Sequence, residues 1–188
     1  MNALISAHDR LFGAIENLTA SWLMPTLARF AFAATLITFF WNSAKTKLGE
    51  GIGGLFSPSF GAYAQVFPKQ MEAAGYDISN FGAFHTLVVV AGMWAEFILP
   101  LLVVIGLATR LSSLAMIGFI VVLTLTDLYG HGAIGVPETL GAWFDGKPDS
   151  VIMDQRLLWL VPLVLLVVRG AGPISIDGLL RRSQAVSG

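Results

Sequence analysis

The chain has 188 residues, of which 55% are hydrophobic and only 12% charged, with a formal net charge of -1. Soluble domains carry roughly 25% charged residues, so there is too little polar surface here to cover a water-soluble globule, and a mean hydropathy of +0.74 places much of the exterior in lipid. The near-neutral balance and lack of a basic tract exclude nucleic acid as a partner, and the absence of cysteine excludes thiolate nucleophiles, iron–sulfur clusters and Cys-ligated zinc.

In chain order, residues 1–20 form an amphipathic helix. Leu4, Leu11, Phe12, Ile15 and Leu18 recur at helical spacing, and Asp9, Arg10 and Glu16 fall elsewhere on the wheel. That pattern predicts a helix lying in the membrane interface, the alternative being one packed on the bundle ends. With His8, Asp9 and Arg10 inside it, the segment does not read as a signal peptide. The first span is expected from Trp22 to Ala44, with Pro25 in its first turn and Arg29 as its interior charge. Residues 49–82 form a long Gly- and Pro-containing loop with room for a short helix from Gly61 to Ala74. The second span runs from Ala83 to Leu107 and the third from Leu111 to Tyr129. A second polar loop covers 130–154, the fourth span runs from Val151 to Val168, and 181–188 is a flexible basic tail.

Each span approximates the roughly 20 residues that cross a hydrocarbon core of about 30 Å. The expected fold is all-α: an integral membrane four-helix bundle, up-down-up-down, with an N-terminal amphipathic interfacial helix, within residues 21–180. Arg10, Arg110, Arg169, Arg181 and Arg182 then share the side of the termini, and Lys45, Lys47, Lys69, Lys147 and Arg156 the other. Lys69 and Lys147 sit in long loops where the positive-inside rule weakens, which places the termini in the cytoplasm.

Charges that lipid should exclude carry the functional information, since one at mid-bilayer costs at least about 2.5–3.5 kcal/mol. Glu96 stands halfway along the second span, four residues before Pro100, which cannot donate to the Glu96 carbonyl. A free carbonyl and a carboxyl group together can hold a proton, a water or a polar ligand. The structural alternative is an ion pair with Arg29. At about 1.5 Å per residue, Arg29 lies about 10 Å and Glu96 about 16 Å from the inner end, a gap an arginine can bridge. At the outer end the topology gathers Lys45, Lys47, His85, Asp127, His131, Asp154 and Arg156. Asp127 and His131, four apart, share a helix face, and with Trp94 or Tyr129 nearby they can hydrogen-bond a quinone head group, or simply form a solvated surface ring. Bis-His haem through His85 and His131 is disfavoured because both stand near helix ends, and a metal site from His85, His131, Asp127 and Glu138 matches no ligand spacing.

Three stretches carry a resemblance: Phe39 to Leu48 (FFWNSAKTKL), Ala95 to Leu114 (AEFILPLLVVIGLATRLSSL) and Asp154 to Leu179 (DQRLLWLVPLVLLVVRGAGPISIDGL). In order they give a first helix closing on a lysine, a helix glutamate followed by a Gly-x-x-Thr-Arg turn, and a final span ending in Gly-Pro and Ser-x-Asp. Together they resemble the DoxX-like family of small four-span membrane proteins, over Leu27 to Leu180. The resemblance implies a bacterial-type inner membrane and a likeness to small subunits of thiosulfate:quinone oxidoreductases, and it points to Glu96, Arg110 and Lys45. The leading expectation is a membrane subunit of a quinone-linked oxidoreductase that anchors a partner subunit or a second copy. Glu96, Asp127 and His131 would act on protons and head group, and Lys45, His85, Trp94, Arg110 and Arg156 would hold the quinone. The rivals are a non-catalytic scaffold or assembly factor, whose charges only glue the bundle, and a small-molecule carrier.

Overall fold

A computed structural model describes residues 2–187, with side-chain environments for 4–185. The described chain is all-helical. α1 (Asn2–Thr19) leads into α2 (Leu23–Phe32), which passes through a wide π turn at Ala33–Ile37 into α3 (Thr38–Lys47). α4 (Phe60–Val66) and α5 (Pro68–Ala73) follow, then α6 (Ala83–Ile105) and α7 (Thr109–Leu125), which a second π turn extends to Gly130. α8 (Pro137–Leu140), α9 (Met153–Arg169) and α10 (Ile176–Ser187) complete the order.

Three helices are long and apolar enough to cross a membrane: Leu23–Lys47, Ala83–Ile105 and Thr109–Gly130. No more than 33% of each apolar window is buried inside the protein, so most of this surface faces outward and calls for an apolar solvent. The fourth expected span corresponds to α9, which has 17 residues. α2–α3 packs against α6 and α9, and α7 against α6 and α9. Phe32, Leu36 and Phe40 of α2–α3 meet Val103, Met116, Ile120, Leu163 and Leu166 in the core between them.

The segment 49–82 is a folded cover. Ala62, Tyr63 and Met71 bury against Val89 of α6, and Pro68, at the first position of α5, divides the expected helix in two. The cover exists because the first turns of α6 extend past the end of α3 and need burial there. Two side chains pin it: the Trp94 indole N–H donates to the Leu55 carbonyl at 3.0 Å, and the Tyr63 and Thr86 hydroxyls share a hydrogen bond at 2.8 Å.

At the opposite end a polar staple holds the α6–α7 turn. Gly106 has φ +69°, and a Cβ there would lie 2.6 Å from the Ser175 Cβ, so only glycine admits the C-terminal segment. Asp177 accepts hydrogen bonds from the N–H groups of Ala108 and Thr109 (2.8 and 2.9 Å) and from the Thr109 hydroxyl (2.7 Å), capping α7. Burial pushes the Asp177 carboxyl pKa up. The hydrogen bonds from Thr109 and Ala108 and the charge of Arg181 outweigh it, leaving the group below the ordinary carboxylate range. Arg29 donates to the carbonyls of Val104 (3.0 Å) and Ile174, neutralising the end of α6. The residues expected as a flexible tail are instead helical in α10 as far as Ser187; Gly188 lies outside the described residues.

Candidate functional site

Helical periodicity builds the first half of the site. Ser43 and Lys47, four apart, share the face of α3 that meets α6. The Lys47 ammonium donates to both Glu96 carboxylate oxygens, at 3.0 and 2.9 Å, and to the Ser43 hydroxyl at 2.8 Å. The Ser43 hydroxyl in turn donates to Glu96 Oε1 at 3.0 Å. Lysine and glutamate are only 7% and 2% exposed, so this is a closed, desolvated triad. A buried pair of this kind holds only while every hydrogen-bonding position is met.

Lys47, not Arg29, is therefore the partner of Glu96, which corrects the sequence expectation. Ser43 is level with Glu96, and Lys47 folds back one turn to reach it, also touching the Ser43 carbonyl at 3.3 Å. Arg29 is fourteen residues from Ser43, about 21 Å along a helix, beyond the reach of a guanidinium. The expectation measured both residues from one inner end and missed the shift of α6 past α3.

The second half comes from the π turn at the end of α7. Asp127 lies within it and accepts from Arg156 Nη2 of α9 at 2.7 Å. The same guanidinium lies 4.1 Å from the centre of the Trp159 ring, a cation–π contact. Just past the turn, His131 Nε2 lies 3.0 Å from the Gln65 carbonyl oxygen. A carbonyl can only accept, so Nε2 carries the hydrogen, and Nδ1 of the neutral ring is left as an acceptor.

Between the halves is a cavity of about 270 Å³. Ser43, Lys47, Glu96, Gln65, Asp127 and His131 supply its polar wall, and Val88, Phe119, Val122 and Leu123 line the rest. Gly92 also borders it, and a Cβ there would meet nothing within 4 Å. The arrangement is apolar walls with convergent polar groups at one place, in the manner of small-molecule sites. It offers an acceptor from histidine and two carboxylates, while the three N–H groups of Lys47 are already taken up by Glu96 and Ser43.

The structure thus places Glu96, Asp127 and His131 on one cavity, and Arg156 directly behind Asp127. It does not bring the others there. Lys45 is exposed, two positions round the helix from the face that Lys47 uses. His85 sits among aromatic rings, 5.0 Å from Phe67 and 4.9 Å from Phe81, with its Nδ1 unpartnered. Trp94 is committed to Leu55, and Arg110 is exposed at the far end beside Gly170. Asp154 accepts from the Ser150 N–H and hydroxyl at 3.0 and 2.7 Å, and Tyr129 is exposed. Among the described residues no three His, Asp or Glu side chains come together as a metal site. Sequence reasoning missed Ser43 and gave Lys47 no more than a surface role. The signal that could have found them was the Ser-x-x-x-Lys spacing at a helix end, with a lone glutamate in the next long apolar helix.

Comparison with family models, with curated proteins and with solved structures returned no match to this chain.

Proposed function

We propose that the chain is a DoxX-like membrane subunit of a quinone-linked oxidoreductase, an inner-membrane four-helix bundle with α2–α3, α6, α7 and α9 as spans. α1, with Leu4, Leu11 and Leu18 exposed, lies in the interface. The observation that carries the reading is the cavity. One ring-sized space with largely apolar walls meets a lysine, a serine, two carboxylates and a histidine. Its volume is near the lower limit of roughly 300 Å³ for small-molecule pockets, which suits a head group whose isoprenoid tail stays in lipid.

In this reading a quinone carbonyl would take one Lys47 N–H in place of one of its present contacts with Glu96 and Ser43, which keep the ammonium at the cavity wall. Asp127, fixed by Arg156, and His131 face the other carbonyl and pass protons from the surface. Reduction to the quinol takes two electrons and two protons. His131 and the carboxylates would supply the protons, and a two-electron donor held by a partner protein would have to supply the electrons. A scaffold reading has one observation in its favour: Glu96 and Asp127 are each already paired with a cation inside the chain. Gly92→Leu separates the two readings, because it fills the cavity without removing a hydrogen bond. Purified wild-type protein should retain quinone near one per chain by mass spectrometry of its extracted lipid. Gly92→Leu should lose at least about tenfold of it at unchanged stability. Equal quinone in both proteins, or none in the wild type, would leave the scaffold reading standing.

A further inference from the structure

A second cavity, of about 470 Å³, opens at the opposite end of the molecule, between the start of α2 and the C-terminal helix. Arg169, Arg181 and Arg182 line it, together with Ser21, Pro25 and Gly172. No acidic side chain lines it among the described residues. Gly172, at φ +75°, brings the turn against α2: a Cβ there would lie 3.1 Å from the Pro25 Cβ and 3.3 Å from the Ser21 carbonyl. The cavity is therefore formed by the packing of the chain rather than by loose side chains.

Positive charge accumulates here, with no carboxylate among the described lining residues. A Cβ at Gly170 would lie 3.5 Å from Arg110 Nε and 4.0 Å from Arg181 Nη2, so two guanidiniums flank one backbone position. Arg181 acts electrostatically on Asp177, and that carboxylate already accepts three hydrogen bonds from the α7 N-terminus. Exposed guanidiniums gathered around a cavity that no carboxylate lines make a surface complementary to an anion. The surroundings say which anion. The arginines stand at the end of apolar α9 and on α10, whose Leu179 and Leu180 are 61% and 50% exposed. A basic pocket at the end of membrane-facing helices, beside exposed leucines, suits the phosphate of a lipid whose chains follow the apolar surface.

We propose that the cavity of Arg169, Arg181 and Arg182 binds the phosphate head group of one anionic phospholipid from the leaflet on the side of the chain termini. The guanidiniums supply paired N–H donors to the phosphate oxygens, and Leu179 and Leu180 contact the acyl chains. The site is separate from the quinone cavity and does not depend on it.

Native mass spectrometry of the full chain in mild detergent tests this, with short-chain phosphatidylglycerol, phosphatidylcholine of the same length and inorganic phosphate as probes. Phosphatidylglycerol should add once, at least about fivefold more tightly than phosphatidylcholine. Arg181→Ala with Arg182→Ala should weaken it by about tenfold or more, while the corresponding double lysine variant keeps most of the binding. Both arginines are exposed, so neither variant removes a buried contact. Gly92→Leu should bind phosphatidylglycerol as the wild type does, which separates this site from the quinone cavity. Equal binding of the two lipids, wild-type binding by the double alanine variant, or inorganic phosphate binding as tightly as the lipid would each overturn the proposal.

Discussion

The two ends of the helical core use the same kinds of residue differently. At the α6–α7 turn, Arg29 is spent on the carbonyls of Val104 and Ile174, and Asp177 on the N–H groups of Ala108 and Thr109. Both charges there complete helix ends, and the space between is filled to the point that a Cβ on Gly106 would clash with Ser175. At the other end Lys47 and Glu96 bond to each other and to Ser43, and Asp127 to Arg156, around an open cavity. Charges on helix termini with no room left between them serve stability. At the other end the charges satisfy one another side chain to side chain and leave a space beside them unfilled.

The contrast breaks hardest at the buried triad. Glu96→Leu leaves Lys47 without its counter-charge in an apolar surrounding and should cost about 3–5 kcal/mol. Adding Lys47→Met should restore most of the loss. Thermal unfolding of the three variants in detergent is the check, and a double variant no better than the single would mean the pair is not coupled. At the stapled end, Gly106→Ala places a Cβ at positive φ and against Ser175, and should cost about 1–3 kcal/mol by the same assay. Asp177→Asn keeps the shape and weakens the cap, for about 0.5–2 kcal/mol.

The same residue provides a pH signature. The folded-state pKa of Asp177 is lowered, so its contribution is fully present above the unfolded value of about 3.9 and is lost as pH falls through the folded pKa. The stability gap between wild type and Asp177→Asn should therefore stay constant from pH 7 to about pH 5 and close in more acidic solution. A gap that instead widened with acid would show that the carboxylate is not the capping species. The smallest effect is expected at Lys45, which is exposed: Lys45→Ala should change stability by less than about 0.5 kcal/mol, and should leave quinone content alone.

Much of this was legible in the residues and some was not. Hydropathy located Leu23–Lys47, Ala83–Ile105 and Thr109–Gly130 to within a few residues, because solvation by lipid imposes a long uniform apolar run. The Gly-Pro pair before α10 signalled a stop but not the helix beyond it, since α10 depends on contacts such as Asp177 with Thr109 that local composition does not encode. That Glu96 needs a partner was legible from its place inside a long apolar run. Its partner was not, because the register between α3 and α6 depends on the cover formed by α4 and α5, which tethers the protruding turns of α6. Lys45 came from the resemblance, and helical rotation puts it on the exposed side while Lys47 takes the face toward α6. Asp127 and His131 were found by their spacing of four, although the helix between them widens into a π turn.

The most direct measurement asks whether a quinone binds at the proposed cavity. A photoreactive quinone analogue would be added to the purified protein, irradiated, and its attachment sites mapped by peptide mass spectrometry. Attachment within residues 88–96 and 119–131, suppressed by Gly92→Leu, is the expected result. Attachment confined to the apolar groove between α2 and α9, lined by Leu27, Ala31, Leu158 and Pro162, would contradict the assignment of the polar cavity as the quinone site.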